Sequence, residues 1–249
     1  MLQKELGQTG LKIPEIGLGT WDFHGTPAAL LAGLEAGAWF IDTAESYGTE
    51  PVVAEAIRGV RERVFLATKI SPQHFRRADV FRAAEQSLAR LRVDHLDLYQ
   101  LHHPNPKIPL EETLGAMEEL ADAGKVRFIG VSNFDVARLQ SARRIMRKHA
   151  IVSNQIRYNL ADRTIEAELL PYCRANGVTV IAYSPLCKVR AAFWIVIRAG
   201  SCANWPGPPA RRWFKWRLTG AFAANGWSPS PKAIRSNTFW RIAPLPAGG

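Results

Sequence analysis

From Glu15 to Pro185, short runs of β-branched and apolar residues alternate with longer amphipathic stretches. This alternation leaves few folds open, because strands buried on both faces and joined by helices pack as a parallel sheet with helical crossovers. Seven strands are predicted, over Ile16–Thr20, Trp39–Asp42, Val64–Lys69, Leu96–Leu101, Val126–Val131, Ile151–Gln155 and Val178–Tyr183. Their spacing of about 25 to 30 residues suits βα units. Pro27, Pro51 and Pro109 fall near predicted helix starts, and Gly37, Gly124 and Gly177 near helix ends. Proline is tolerated in a first helical turn, and glycine favours the left-handed position after a last one. Ahead of the first strand, Leu2–Leu6 and Leu11–Ile13 flank Gly7–Gly10, which reads as a small hairpin able to plug the lower end of a barrel.

Regular βα repetition permits an open doubly wound sheet or a closed eight-stranded barrel, and the position of the polar residues separates the two. They fall at every strand's C-terminal end: Thr20 with Trp21, Asp42, Lys69, His102, Ser132 with Asn133, Gln155, and Tyr183 with Ser184. In a barrel these ends converge on one mouth. An open sheet would concentrate its chemistry at one crevice, usually with a glycine-rich turn after the first strand. Gly17-Leu-Gly19-Thr lacks the third glycine of that fingerprint.

Asp42, Tyr47, Lys69 and His102 come from three consecutive strand ends. A phenol is a poor acid at neutral pH, and a nearby ammonium favours the phenolate and lowers its pKa. Lys69 can supply that charge, Asp42 can hold Lys69 charged and oriented, and His102 can hydrogen-bond a carbonyl oxygen or relay a proton. Tyr47 is then a general acid. Taken singly, each also fits an ordinary barrel residue, with Lys69 and Asp42 a structural ion pair. His103 beside His102 raises a metal reading, but adjacent strand residues point to opposite faces, so no metal site is expected.

Five segments together resemble the aldo-keto reductase family: Ile41-Asp-Thr-Ala-Glu-Ser-Tyr-Gly48, Ala67-Thr-Lys69, Asp97-Leu-Tyr-Gln-Leu-His-His-Pro104, Gly124-Lys-Val-Arg-Phe-Ile-Gly-Val-Ser-Asn-Phe134 and Ile181-Ala-Tyr-Ser-Pro-Leu186. The resemblance covers residues 1–186 in order. It implies a TIM barrel that binds NAD(P)H without a Rossmann unit and reduces aldehydes or ketones to alcohols by hydride transfer. The family's four catalytic positions fall on Asp42, Tyr47, Lys69 and His102. By the same resemblance Ser132, Asn133 and Gln155 hold the nicotinamide carboxamide, Tyr183 stacks on its ring, Gly19, Thr20 and Trp21 line the mouth, and Ser184 and Leu186 meet the pyrophosphate. The cofactor it implies is NADPH, with NADH left open, and the partner is a small-molecule carbonyl substrate. A non-enzymatic cofactor-binding regulatory subunit on the same fold is the alternative from another functional class.

The resemblance stops after Leu186. Residues 187–249 carry ten Lys and Arg and no acid, with six of the eight Trp and seven of the 16 Pro, so the whole formal net charge of +10 comes from this stretch. Lys232, in Gly226-Trp-Ser-Pro-Ser-Pro-Lys232, is the nearest counterpart to the family's basic cofactor contact after strand eight. The composition change, together with back-translation of Trp205–Gly220 and Asn237–Ala247 into family-like helices in a shifted frame, predicts a frameshifted tail and an inactive product as a further alternative. The chain thus divides into a barrel over 1–186 and an atypical tail over 187–249. The barrel is expected to be incomplete or irregular after strand seven, with open edges if no eighth strand forms. Interleaved charges and rings in Arg211-Arg-Trp-Phe-Lys-Trp-Arg217 admit nucleic acid, but seven prolines without periodicity argue against it. Cys173, Cys187 and Cys202 lack paired spacing, and the longest apolar run, Ala191–Ile197, is too short to span a membrane. A cytoplasmic monomer or weak oligomer is the expectation.

Overall fold

The computed structural model describes residues 1–185 and 239–242, and in these the alternation becomes a closed barrel. A two-stranded antiparallel hairpin, β1 (Gln3–Glu5) and β2 (Lys12–Pro14), precedes it. Then follow β3 (Ile16–Gly19), α1 (Pro27–Glu35), β4 (Phe40–Asp42), α2 (Glu50–Ile57), β5 (Phe65–Ile70), α3 (Arg77–Leu91), β6 (Leu96–Leu101), α4 (Leu110–Asp122), β7 (Val126–Ser132), α5 (Val136–Ile145), β8 (Ile151–Arg157), α6 (Leu169–Ala175) and β9 (Thr179–Tyr183). β3 to β9 are the seven predicted strands, each parallel to the next.

The eighth position is filled irregularly. β10, Phe239–Ile242, runs antiparallel to both β3 and β9, so the two edges that would otherwise lie open are paired. Part of the sequence-predicted tail therefore joins the barrel. Leu186, Lys232, Trp205–Gly220 and the remainder of that tail lie outside the described residues.

Period-two alternation divides the core into two layers. On β5, Phe65 and Ala67 point inward with Phe40 and Leu98, while Leu66 and Ile70 face the helices. The inner cluster includes Leu6 and Ile13, so the hairpin closes the lower end of the barrel. Helices cover the outside with one apolar stripe each. On α3 the buried positions are Val80, Ala83, Ala84, Ser87, Leu88 and Leu91, the three- and four-residue steps of one helical face.

β8 breaks the alternation. Its register against β7 shifts between Ile129 and Gly130, so Ile129 opposes Ile151 and Gly130 opposes Ser153. Val152 is the extra residue of a bulge. Ile151 belongs to the outer layer and Val152 to the inner one. Beyond the bulge Asn154 reaches outward to the Phe134 carbonyl, and Gln155 reaches inward to Asp42.

Phe40 sits at the centre of the lower plug, with no exposure, edge-on to Phe65 at 5.5 Å and tight against Gly17. Phe40→Ala leaves a cavity that rigid strands cannot collapse around. We expect it to lower the unfolding free energy by about 3–5 kcal/mol, read as a fall in the urea midpoint.

Candidate active site

The wide end of the barrel collects side chains from the ends of β4 to β9. Lys69 of β5 and Asp42 of β4 form an ion pair with both side chains at 0% exposure. A buried ammonium needs all of its donors engaged. Lys69 Nζ donates to Asp42 Oδ1, to the Thr43 carbonyl at 2.8 Å and to the Tyr47 hydroxyl at 3.4 Å. Asp42 Oδ2 in turn accepts from Gln155 Nε2 at 2.7 Å and Gln100 Nε2 at 3.1 Å.

Tyr47 lies in a single helical turn, Glu45–Tyr47, directly after β4. Glu45 fastens this turn to the segment after β5, accepting from the Ser71 amide at 2.6 Å and pairing with His74 Nδ1 at 2.9 Å. The Tyr47 hydroxyl thus faces Lys69 on one side and His102 Nε2, at 3.3 Å, on the other.

Asn133 ties the far wall together. It adopts φ +62°, a left-handed conformation that asparagine tolerates better than most residues. Its Nδ2 donates to the His102 carbonyl at 3.0 Å and Ser132 Oγ at 2.9 Å, and its Oδ1 accepts from the Tyr183 hydroxyl at 3.0 Å. Ser132 Oγ donates to the Gln155 carbonyl at 2.9 Å. Asp42, Tyr47, Lys69, His102, Ser132, Asn133, Gln155 and Tyr183 are therefore joined in one hydrogen-bonded circuit. Gly19 ends β3, and Thr20 packs behind Asp42 with its Oγ1 at 2.8 Å from Thr49 Oγ1. Trp21 is half-buried just beyond. Ser184 stands apart from the circuit, held by Asn159 through its carbonyl.

Two expectations are corrected. Burial raises the Tyr47 pKa above its ordinary 10.0 and prevails over the opposing pull of Lys69, so the phenol keeps its proton at neutral pH. His102 and His103 do not point to opposite faces. They lie past the end of β6, where strand alternation no longer applies, and their rings stack at 4.9 Å. Burial, Lys69 and His103 push the His102 imidazole down to about 3, which makes it neutral near pH 7. Burial alone would lower the Lys69 pKa, but Asp42 and Tyr47 outweigh it and raise it, keeping the ammonium charged. Among the described residues no cluster of His, Cys, Asp or Glu is arranged to hold a metal ion, and no helix is long and apolar enough to cross a membrane.

Gln100 was not among the sequence-predicted site residues. The signal was present: Leu98 and Gln100 share one face of β6, and an amide amid Leu-Tyr-Gln-Leu needs an inward partner.

Residues 15–189 match the model of the aldo/keto reductase family. The chain belongs to that family. It is 39% identical over 206 residues to the aldo-keto reductase YhdN of Bacillus subtilis, covering 74% of this chain and 61% of YhdN, so it spans about three fifths of that relative's length. It is 42% identical over 200 residues to the methylglyoxal reductase YeaE of Escherichia coli, covering 76% of this chain and 70% of that protein. Among solved structures it resembles an aldo/keto reductase from Klebsiella pneumoniae in complex with NADP and acetate, with a TM-score of 0.70 at 41% identity, covering 80% of this chain and 75% of the other.

The His102 environment predicts an acid-sensitive fold. In the unfolded chain this imidazole takes up a proton near its ordinary 6.5, and in the folded one only near 3, so the unfolded state binds more protons between those values. Stability contributed by the neutral ring is full above 6.5 and is lost as the pH falls towards 3. Urea unfolding at a series of pH values should show this loss, and His102→Gln should flatten it.

Proposed function

We propose that the protein reduces small-molecule aldehydes or ketones to alcohols with a nicotinamide cofactor, Tyr47 acting as general acid. The observation that carries this reading is the Tyr47 hydroxyl set between the Lys69 ammonium and the neutral His102 imidazole. A phenol that keeps its proton can deliver it to an oxygen on which negative charge develops. The adjoining ammonium then stabilises the phenolate left behind, and Asp42 keeps that ammonium charged and aimed. His102, uncharged, offers one ring nitrogen to the carbonyl oxygen without competing as an acid.

The donor set fits a carboxamide, which needs both donors and acceptors: Ser132, Asn133 and Gln155 present hydroxyl and amide groups at the ends of β7 and β8. We assign these three to the nicotinamide amide, the Tyr183 ring to its face, Gly19, Thr20 and Trp21 to the mouth, and Ser184 to the phosphate side. When bound, this cofactor supplies hydride to the carbonyl carbon. NADPH is the favoured form, in keeping with the NADP complex of the Klebsiella relative. A small carbonyl is favoured by the likeness to a methylglyoxal reductase.

The family match ends at residue 189, close to the start of the basic stretch over 187–249 that holds six of the eight Trp. This coincidence supports a barrel unit over residues 1–186 followed by a stretch read in a shifted frame. Resequencing codons 186–249 checks it, and an unaltered sequence would overturn the frameshift.

Tyr47→Phe removes the proton without emptying the site. Turnover of a small aldehyde should fall by about 10²–10⁴-fold while NADPH affinity, followed by fluorescence titration, stays near wild type. Unchanged turnover would overturn the assignment of Tyr47 as the acid.

A further inference from the structure

Gln100, on β6 two residues before His102, is fully buried inside the barrel. Its Nε2 donates to Asp42 Oδ2 at 3.1 Å, while its Oε1 is buried without a hydrogen-bond partner. An amide held with one end unsatisfied is a costly choice for a position that an aliphatic residue would fill. The fold also makes room for it. A Cβ on Gly130 of β7 would stand 3.0 Å from Gln100 Cγ and 2.5 Å from Ser153 Oγ, so the facing strand is kept bare where this side chain lies.

Asp42 Oδ2 has two donors, and they differ in what else they are asked to do. Gln155 is also assigned to the nicotinamide amide, so its hydrogen bonds are shared between cofactor and carboxylate. Gln100 lies deeper, within β6, and has no second task. We propose that Gln100 is a positioning residue that fixes the Asp42 carboxylate, and through Asp42 the Lys69 ammonium, so that Tyr47 can act as the acid. The inference rests on the assignment of Tyr47 made above.

The chain of effects has a definite sign. The groups facing the Tyr47 hydroxyl are Lys69, Asp42, His102 and, across the mouth, Tyr183. Lys69 alone pulls the phenol towards ionisation, while burial and Asp42 push against it. A carboxylate that has lost a donor keeps more of its negative charge, draws the Lys69 ammonium to itself and opposes a charge on Tyr47 more strongly. The phenol then becomes a weaker acid.

Gln100→Met keeps the shape and removes the donor. The Tyr47 ionisation can be followed directly by fluorine NMR of protein carrying fluorotyrosine, whose more acidic phenol titrates at lower pH. Comparison with Tyr47→Phe assigns the resonance among the five tyrosines. We expect the Tyr47 transition of Gln100→Met to move to higher pH by about one unit, with kcat about tenfold lower and NADPH affinity within about twofold of wild type. Gln100→Leu, uncharged and also without a donor, should shift the transition in the same direction, and serves as the readout if the methionine variant does not fold. A folded variant whose Tyr47 titrates as in wild type overturns the inference, whatever its stability. If Tyr47→Phe itself retains full turnover, it is the functional assignment that fails.

Discussion

A lysine and an aspartate facing each other with no access to water set the terms for the rest of the barrel mouth. Removing two charges from solvent costs several kcal/mol each, and their attraction offsets this only when the remaining lone pairs and protons find partners. The structure meets that demand from four strands: the Thr43 carbonyl beyond β4, Gln100 on β6, Gln155 on β8, and Asp42 and Lys69 on β4 and β5 themselves. None of these groups can be moved without leaving a buried charge short of a partner. The pair is therefore a poor way to gain stability and an effective way to hold a fixed charge beside a phenol.

Apart from Asp42, its partner in the ion pair, the side chains that meet this charge are uncharged or remain protonated. His102 is neutral near pH 7 and Tyr47 keeps its proton, so Lys69 is the one cation beside the phenol hydroxyl and Asp42 the charge that opposes it. The backbone contributes through Asn133, whose left-handed conformation lets one side chain touch the His102 carbonyl, Ser132 and Tyr183 together. Rigidity at the mouth thus comes from polar contacts between strand ends, whereas below it comes from packing among Phe40, Phe65, Leu98 and the hairpin.

Much of this was legible in the residues. Strands buried on both faces leave unbroken apolar runs, and Leu96–Leu101 is recovered at both ends while the others differ by one or two residues. The polar strand ends announced the mouth, and Asp42, Tyr47, Lys69 and His102 do converge there. What was hidden depends on distance through space. The direction of the Tyr47 pKa follows from the depth of its burial, which composition does not reveal. Stacking of His102 on His103 follows from where β6 stops. β10 is only four residues long in a stretch without apolar alternation, and its antiparallel pairing is not foreseeable from a βα pattern.

The bulge in β8 separates two duties within one strand. Val152 faces the hairpin, where a Cβ on Gly7 would stand 3.2 Å from its own Cβ, whereas Ser153 and Gln155 belong to the register that serves the mouth. The ladder pairs Ile151 below and Ser153 above with consecutive residues of β7, so Val152 is supernumerary to the pairing on either side. Insertion and deletion in this strand are consequently not equivalent along its length. A change at Val152 is felt by the floor of the barrel, and one residue further on the same change would turn the amide of Gln155 away from Asp42. The floor of this barrel can therefore be altered at that point while the register that carries Gln155 keeps its count.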